Sequence, residues 1–413
     1  MNYKLIAVII IILTYLYGLL LELLDRRSAD NPVPENVADV YDPETYKKWR
    51  TYHREKSRLS FISQTASFII SLILILSNAY PAFARLFPKT DFLQMLSVFL
   101  LSTLTDFLLL PVSWYDTMVI EEKYGFNRTD KKTFWLDTLK ETIISLVLMT
   151  LIGSLLIWVH KSLGDWMIVA FTAVMTVLVL AIAFLSPVLT KIFNKFTPLE
   201  DGELKEKLTS MLEKHGYKVR AIQVMDASRR STKSNAYFTG FGKMKTIVLY
   251  DTLVAQMTTD EICAVFAHEM EHGLHKDTLK NQIFSTIQMF LMAVLAWLTL
   301  RSPEIFRSFG FDGINYGFAI ALIGFELALF SPLFSLLVNA HSRKAEYRAD
   351  QQAVQEGYGP ALISGLKKLT RENFGDLAPD PLLVKLTYSH PTLSQRIAAI
   401  GAAPQQAGQA DQP

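Results

Sequence analysis

The 413-residue sequence predicts a mainly α integral membrane protein, a seven-helix bundle that carries a smaller α+β portion outside the bilayer. Three observations lead there. Hydrophobic residues make up 50% of the chain and charged residues 19%, below the roughly 25% of a soluble domain. Mean hydropathy is +0.23. The apolar surplus is collected into long runs, while the charge gathers between them. A disordered chain is excluded by 26 Phe, 16 Tyr and 6 Trp. A disulfide-built module is excluded because Cys263 is the sole cysteine. A net charge of +2 gives no reason to expect a nucleic-acid partner.

A span needs about 20 mostly apolar residues to cross a hydrocarbon layer of roughly 30 Å. The first run, Leu5 to Leu24, has that length and is followed by Asp25-Arg26-Arg27. It reads as a retained anchor, since a cleaved signal has a shorter core and a small-residue cleavage site. Further runs cover about Phe61 to Tyr80, Phe92 to Val112, Ile143 to Val159 and Trp166 to Leu185. The last two cover about Ile283 to Leu300 and Ile314 to Val338. This divides the chain into an N-terminal membrane region of five spans (1–189), a second region with two more (190–400), and a Gln/Ala/Pro-rich tail (401–413) expected to be disordered.

Basic residues set the direction. The loop after the first span holds Arg26, Arg27, Lys47, Lys48, Arg50, Arg54, Lys56 and Arg58, and the loop after the third adds Lys123, Arg128, Lys131 and Lys132. The opposite loops are poor in Lys and Arg. The positive-inside rule then places the N-terminus outside and the C-terminus in the cytoplasm. The segment from Thr190 to Gln282 and everything beyond Val338 share that cytoplasmic side. Asp106 and Glu326 fall inside spans, where facing lipid would cost several kcal/mol. Each therefore needs a partner or a wet cavity.

Within the soluble portion, Gly202 to Lys214 has helical spacing, Lys218 to Met225 alternates like a strand, and Gly242 to Tyr250 holds the β-rich TIVLY. Thr258-Thr259-Asp260-Glu261 supplies an N-cap and acids for the first turn of a helix. That helix carries His268-Glu269-Met270-Glu271-His272. His268 and His272 stand one turn apart on one face, so both imidazoles can reach one zinc ion. Glu269 lies beside the first ligand, placed to take a proton from a water in an open fourth position. This is the HExxH pattern of zinc metalloproteases. A solvated helix face with two unrelated histidines is the competing reading.

The site requires a third ligand. Six residues after His272 stands Thr278, which cannot serve, and His275 lies too far round the helix. Glu346 is the better candidate, because a hairpin of two spans returns Ser342-Arg343-Lys344-Ala345-Glu346 to the side where the histidine helix emerges. Asp350, one turn on, can accept a hydrogen bond from a ligand imidazole. An ordinary charged juxtamembrane residue is the alternative for Glu346.

HEMEH, SRKAEYRAD and Tyr388-Ser389-His390-Pro391 together resemble the integral-membrane zinc metallopeptidases that include the type I CAAX prenyl protease. Tyr124-Gly125-Phe126-Asn127, Phe193-Asn194-Lys195-Phe196-Thr197-Pro198-Leu199, Ser234-Asn235-Ala236-Tyr237-Phe238-Thr239-Gly240 and Asp251-Thr252-Leu253 match further elements of that family. The likeness runs from about Tyr41 to Ile400. It implies a bundle enclosing a water-filled chamber and a cytoplasmic α+β zinc metalloprotease domain holding one Zn2+ per chain. It also implies His268, His272 and Glu346 as ligands, Glu269 as general base, Asp350 behind a ligand, and His390 as the partner of the tetrahedral intermediate's oxyanion. Arg343 and Tyr388 are further candidates to face the site. Asn235, Ala236 and Tyr237 are candidates for an exposed strand edge to which an extended substrate adds, with a core strand as the alternative.

The expected partners are membrane lipid and a peptide or protein substrate, a prenylated C-terminal CAAX protein among them. The membrane would be the plasma membrane in a bacterium and the endoplasmic reticulum in a eukaryote. A heat-shock-type quality-control protease is the alternative, though such chains have fewer spans. A site-2 protease carries its HExxH within a span. A non-enzymatic scaffold or transporter has no need of Glu269.

Overall fold

The computed structural model of the chain describes residues 2–190, 194–229, 232, 235–239, 244–275 and 277–402. Five long helices fill the first half: α1 (Tyr3–Ser28), α2 (Pro43–Leu76), α3 (Asp91–Tyr115), α4 (Lys131–Leu163) and α5 (Met167–Leu189). Short polar caps start four of them, with Asn2 Oδ1 accepting the Leu5 amide at the head of α1. Asp42, Thr90 and Asp130 accept the backbone N–H groups of Thr45, Leu93 and Thr133, which a helix's first turn would leave unpaired. α2 opens at Pro43, well before Phe61, so its first half is a polar helix outside the apolar run.

Six stretches of the described residues are long and apolar enough to cross a bilayer, where the apolar runs suggested seven. The difference lies in Lys131–Ile182, one continuous stretch by that measure. It holds α4 and most of α5, parted by a single turn at Gly164–Trp166. Gly164 adopts φ 51° there, a conformation that glycine enters without a Cβ penalty.

The soluble portion contains β1 (Phe196–Pro198), α6 (Glu203–Lys214), β2 (Lys218–Met225), β3 (Ala236–Thr239) and β4 (Met244–Tyr250). The sheet order is β1-β2-β4-β3. β2 and β4 pair in parallel at the centre, and β1 and β3 pair antiparallel at the two edges. The expected segments fall on α6, β2 and β4 with small shifts. The second half continues with α7 (Thr259–Leu274), α8 (Asp277–Leu300), α9 (Tyr316–Gln355), α10 (Gly359–Glu372), α11 (Pro381–Thr387) and α12 (Leu393–Ala402). Gly401 and Ala402, expected in the disordered tail, close α12; residues 403–413 lie outside the described residues, as do Phe193, Ser234, Gly240 and Gly242.

Length positions α9. Its 40 residues span about 60 Å, twice the hydrocarbon thickness, so its C-terminal part leaves the apolar zone and packs on α7. Its other end is drawn tightly against α3. A Cβ added at Gly317 would lie 2.5 Å from the Met95 carbonyl oxygen. Of the two acids inside spans, Asp106 is exposed on α3, and Glu326 Oε2 is buried without a hydrogen-bond partner among the described residues.

Two main buried clusters hold the molecule together. One lies in the bundle around Met95, Leu156, Met167, Phe306 and Phe318. The other lies in the soluble portion around Ile247, Leu249, Ile262, Phe266 and Ala353, and it includes Val37, Tyr41 and Trp49 from the N-terminal region. Trp49 Nε1 donates to the Phe374 carbonyl at 3.0 Å, and the Tyr41 hydroxyl donates to the Thr370 and Gly375 carbonyls at 3.0 and 2.9 Å. Asn31 donates to the Ala378 carbonyl, and Ser28 Oγ accepts from the Asp380 amide, both at 2.8 Å. The connection between α1 and α2 thus clasps the segment leading into α11 and on to His390.

Candidate metal centre

The site is built on α7. Thr258 accepts the Glu261 amide at 3.3 Å while the Glu261 carboxylate accepts the Thr258 amide at 2.9 Å, a reciprocal cap that fixes where the helix begins. Its inner face, with Cys263, Ala264, Ala267 and Met270 at 0% exposure, anchors the helix in the soluble core. His268 and His272 therefore hold one register, their rings 5.1 Å apart between centroids and nearly perpendicular.

Glu346 on α9 meets them. His268 Nε2 lies 3.3 Å from Glu346 Oε2, and His272 Nε2 lies 3.3 Å from Glu346 Oε1. The three ligand atoms are within 4.8 Å of one another, the group among the described residues that can hold a metal ion. A tetrahedral zinc ion with bonds near 2.1 Å holds its ligand atoms about 3.4 Å apart, so the spacing fits. Glu346 is only 3% exposed. Its Oε2 makes no hydrogen bond despite the imidazole beside it, as two groups facing a common cation would stand. The donor set of two imidazoles and one carboxylate suits zinc.

Behind the ligands, both histidines are oriented by carboxylates. His268 Nδ1 lies 2.9 Å from Asp350 Oδ1. Asp350 is itself gripped by Arg396, at 2.9 Å from Nε and 2.6 Å from Nη2. His272 Nδ1 lies 3.1 Å from Asp277 Oδ2. With each Nδ1 bound from behind, each Nε2 is left to face the metal position. Burial alone would lower the pKa of His268, but the Asp350 hydrogen bond and the adjacent Glu346 carboxylate prevail and raise it to about 9. Burial opposes protonation of His272 too, and the Glu346 hydrogen bond again turns the net shift upward.

His390 reaches the rim of the cluster. Its Nε2 lies 3.3 Å from Glu346 Oε1, with the ring 59% exposed. Lost hydration still holds its pKa below the ordinary histidine range, against the pull of Glu346. Glu269 is half-buried beside His268, and its charge is felt by both His390 and Arg396. His275 is turned away, paired with Glu271 at 2.5 Å.

Arg343 and Tyr388, candidates to face the site, meet each other through the Tyr388 backbone. The Arg343 guanidinium donates to the Val384 and Tyr388 carbonyls at 3.3 and 2.6 Å, capping the last turn of α11. The Tyr388 phenol has its pKa raised by burial and by the charges of Asp376 and Asp25. Asn235 precedes β3, where its carbonyl accepts the Tyr250 amide at 3.1 Å. Ala236 and Tyr237 lie in β3, an edge strand that passes beside α7. Asp277, Arg348 and Arg396 were not foreseen. Asp277 stands five residues after His272, close enough to have been tested as an orienting carboxylate. Arg396, 128 positions from His268, carries no local signal.

Comparison with known proteins gives a consistent picture. Residues 22–195 match the family model for the CAAX prenyl protease N-terminal region with five membrane helices, and residues 198–403 match peptidase family M48. The chain is 34% identical to CAAX prenyl protease 1 homolog of Arabidopsis thaliana, covering 94% of this chain and 95% of that protein. It is 33% identical to CAAX prenyl protease 1 of Saccharomyces cerevisiae over 91% and 90% of the two chains, and 31% identical to the human homolog over 89% and 88%. The crystal structure of S. mikatae Ste24p superposes with a TM-score of 0.90 at 29% identity, covering 96% of this chain and 99% of that one.

Proposed function

The chain belongs to peptidase family M48, with the CAAX prenyl protease 1 homologues among its relatives, and from that premise we propose that it is a zinc endopeptidase working at the cytoplasmic membrane face. It is an integral membrane metalloprotease. The convergence of His268, His272 and Glu346 is the observation that carries the zinc reading.

Zinc bound there supplies Lewis acidity, lowering the pKa of a water and polarising the scissile carbonyl. The remaining roles fall to the chain. Asp350 and Asp277 hold the Nδ1 protons of the ligand histidines and keep both rings aimed at Glu346. Glu269, half-buried at the site, takes the proton of the attacking water and passes it to the departing amine. The His390 ring at the rim of the cluster can donate an N–H to the carbonyl oxygen as negative charge develops. Edge strand β3, at Ala236 and Tyr237, with Asn235 just before it, offers backbone groups to an extended peptide.

The membrane arrangement has seven spans, counting α4 and α5 separately, with the N-terminus outside and the peptidase portion in the cytoplasm. Residues 1–189 form the membrane region and residues 190–400 the peptidase domain, with the clasp on Phe374 joining them. The unpartnered Glu326 Oε2 and the acid at Asp106 favour a wet chamber inside the bundle. The substrate class is a C-terminal CAAX peptide carrying a prenyl group. Pure protein given farnesylated and unfarnesylated CAAX peptides, with and without a zinc chelator, tests this. We expect chelator-sensitive cleavage that is faster on the farnesylated peptide. Equal rates would point to a broad-specificity protease, and cleavage that survives zinc removal would overturn the mechanism.

A further inference from the structure

Two acids near the ligand helix are buried more deeply than solvated charges should be. Glu271, on the last turn of α7, is 3% exposed, and Asp277, at the start of α8, is 5% exposed. A buried carboxylate must be paired or its burial costs several kcal/mol. Both are met by one side chain. Arg348, on α9 midway between Glu346 and Asp350, donates through Nε to Glu271 Oε1 at 3.0 Å and through Nη2 to Asp277 Oδ2 at 2.5 Å.

The choice of oxygen is informative. The Oδ2 atom that Arg348 holds is the one that meets His272 Nδ1 at 3.1 Å, while Lys280 takes Oδ1 at 3.1 Å. The rotation of the Asp277 carboxylate is thereby set from both ends. Glu271 lies on α7 and Asp277 on α8, so the guanidinium joins the ligand helix to the helix that follows it. A planar fork of five donors can grip two carboxylates at once, which a single ammonium on a flexible stem does poorly.

We propose that Arg348 is a positioning residue for the metal centre. Holding Glu271 and Asp277 together, it ties α7 to α8 and turns Asp277 Oδ2 toward His272, so that His272 Nε2 points at Glu346. This role rests on the metal-site reading above. A purely structural ion pair would stabilise the fold without setting the ligand's aim, and the two are separable.

The test measures zinc dissociation by chelator competition, together with thermal stability, on the full-length protein in detergent. Arg348→Met should weaken zinc binding about 10- to 100-fold, the usual cost of losing an orienting partner. Arg348→Lys should recover only part of that loss. The double variant Glu271→Gln/Arg348→Met removes one of the two charges that the first change leaves without Arg348, the other keeping Lys280. It should regain thermal stability while zinc binding stays weak. Unchanged zinc affinity in Arg348→Met, or recovery of affinity together with stability in the double variant, would overturn the positioning role. A wild-type protein that takes up no zinc would instead overturn the metal site itself.

Discussion

At the scale of single residues, the metal centre combines groups with opposing demands. His268 is fully enclosed, yet Asp350 and Glu346 raise its pKa to about 9 when no metal competes. A histidine with a raised pKa contributes stability that is fully present below its ordinary value near 6.5 and lost as pH climbs through 9. Zinc requires the neutral ring and must displace that proton. Zinc affinity should therefore rise about tenfold per pH unit between pH 7 and 9 for each proton released, while the metal-free protein loses stability over the same window. Chelator competition at three pH values measures the first, and a flat profile would contradict it. The ligand pair was legible because two histidines four apart on a helix share a face. Arg348 and Arg396 were not, because an arginine on a helix reads the same whether it faces solvent or grips a buried acid.

Elements were legible wherever one local signal dominated. The cap at Thr258 and the alternation of β2 rest on neighbours in sequence and each became the element it implied, whereas the seven apolar runs correspond to six membrane-length stretches among the described residues. The pairing of elements was harder to read. Nothing near Trp49 in the sequence announces Phe374, 325 positions away, because that contact depends on how the helices return. The turn between α4 and α5 falls on the polar stretch His160 to Asp165, where Gly164 takes φ 51°. Close helix contacts follow from glycine in the same way. Gly317→Ala would press a Cβ against the Met95 backbone at 2.5 Å, where no side chain can swing aside. We expect it to destabilise the protein by about 1–3 kcal/mol. Gly324→Ala on the same helix meets nothing within 4 Å and should be neutral or gain up to about 1 kcal/mol from helix propensity. Thermal melts of the two variants make the comparison, and equal effects would show that α3 and α9 do not meet at Gly317.

At the scale of the whole molecule, the apolar surplus is a membrane bundle and the scarce charge is concentrated where the chemistry sits. The proposed orientation places the segment between α2 and α3 outside and the segment between α3 and α4 inside. Cysteines placed singly at Leu86, which is 76% exposed, and at Arg128, in a Cys263→Ala background, report on it. An impermeant maleimide applied to intact cells should label the position at Leu86 only, and labelling at Arg128 instead would reverse the topology. The proposed mechanism requires Glu269 as the proton-transferring base beside a zinc held by His268, His272 and Glu346. The direct measurement is peptide turnover by Glu269→Gln protein whose zinc content has been determined. One zinc per chain with turnover reduced by about a thousandfold or more is the predicted result. Full zinc occupancy with turnover undiminished would contradict it.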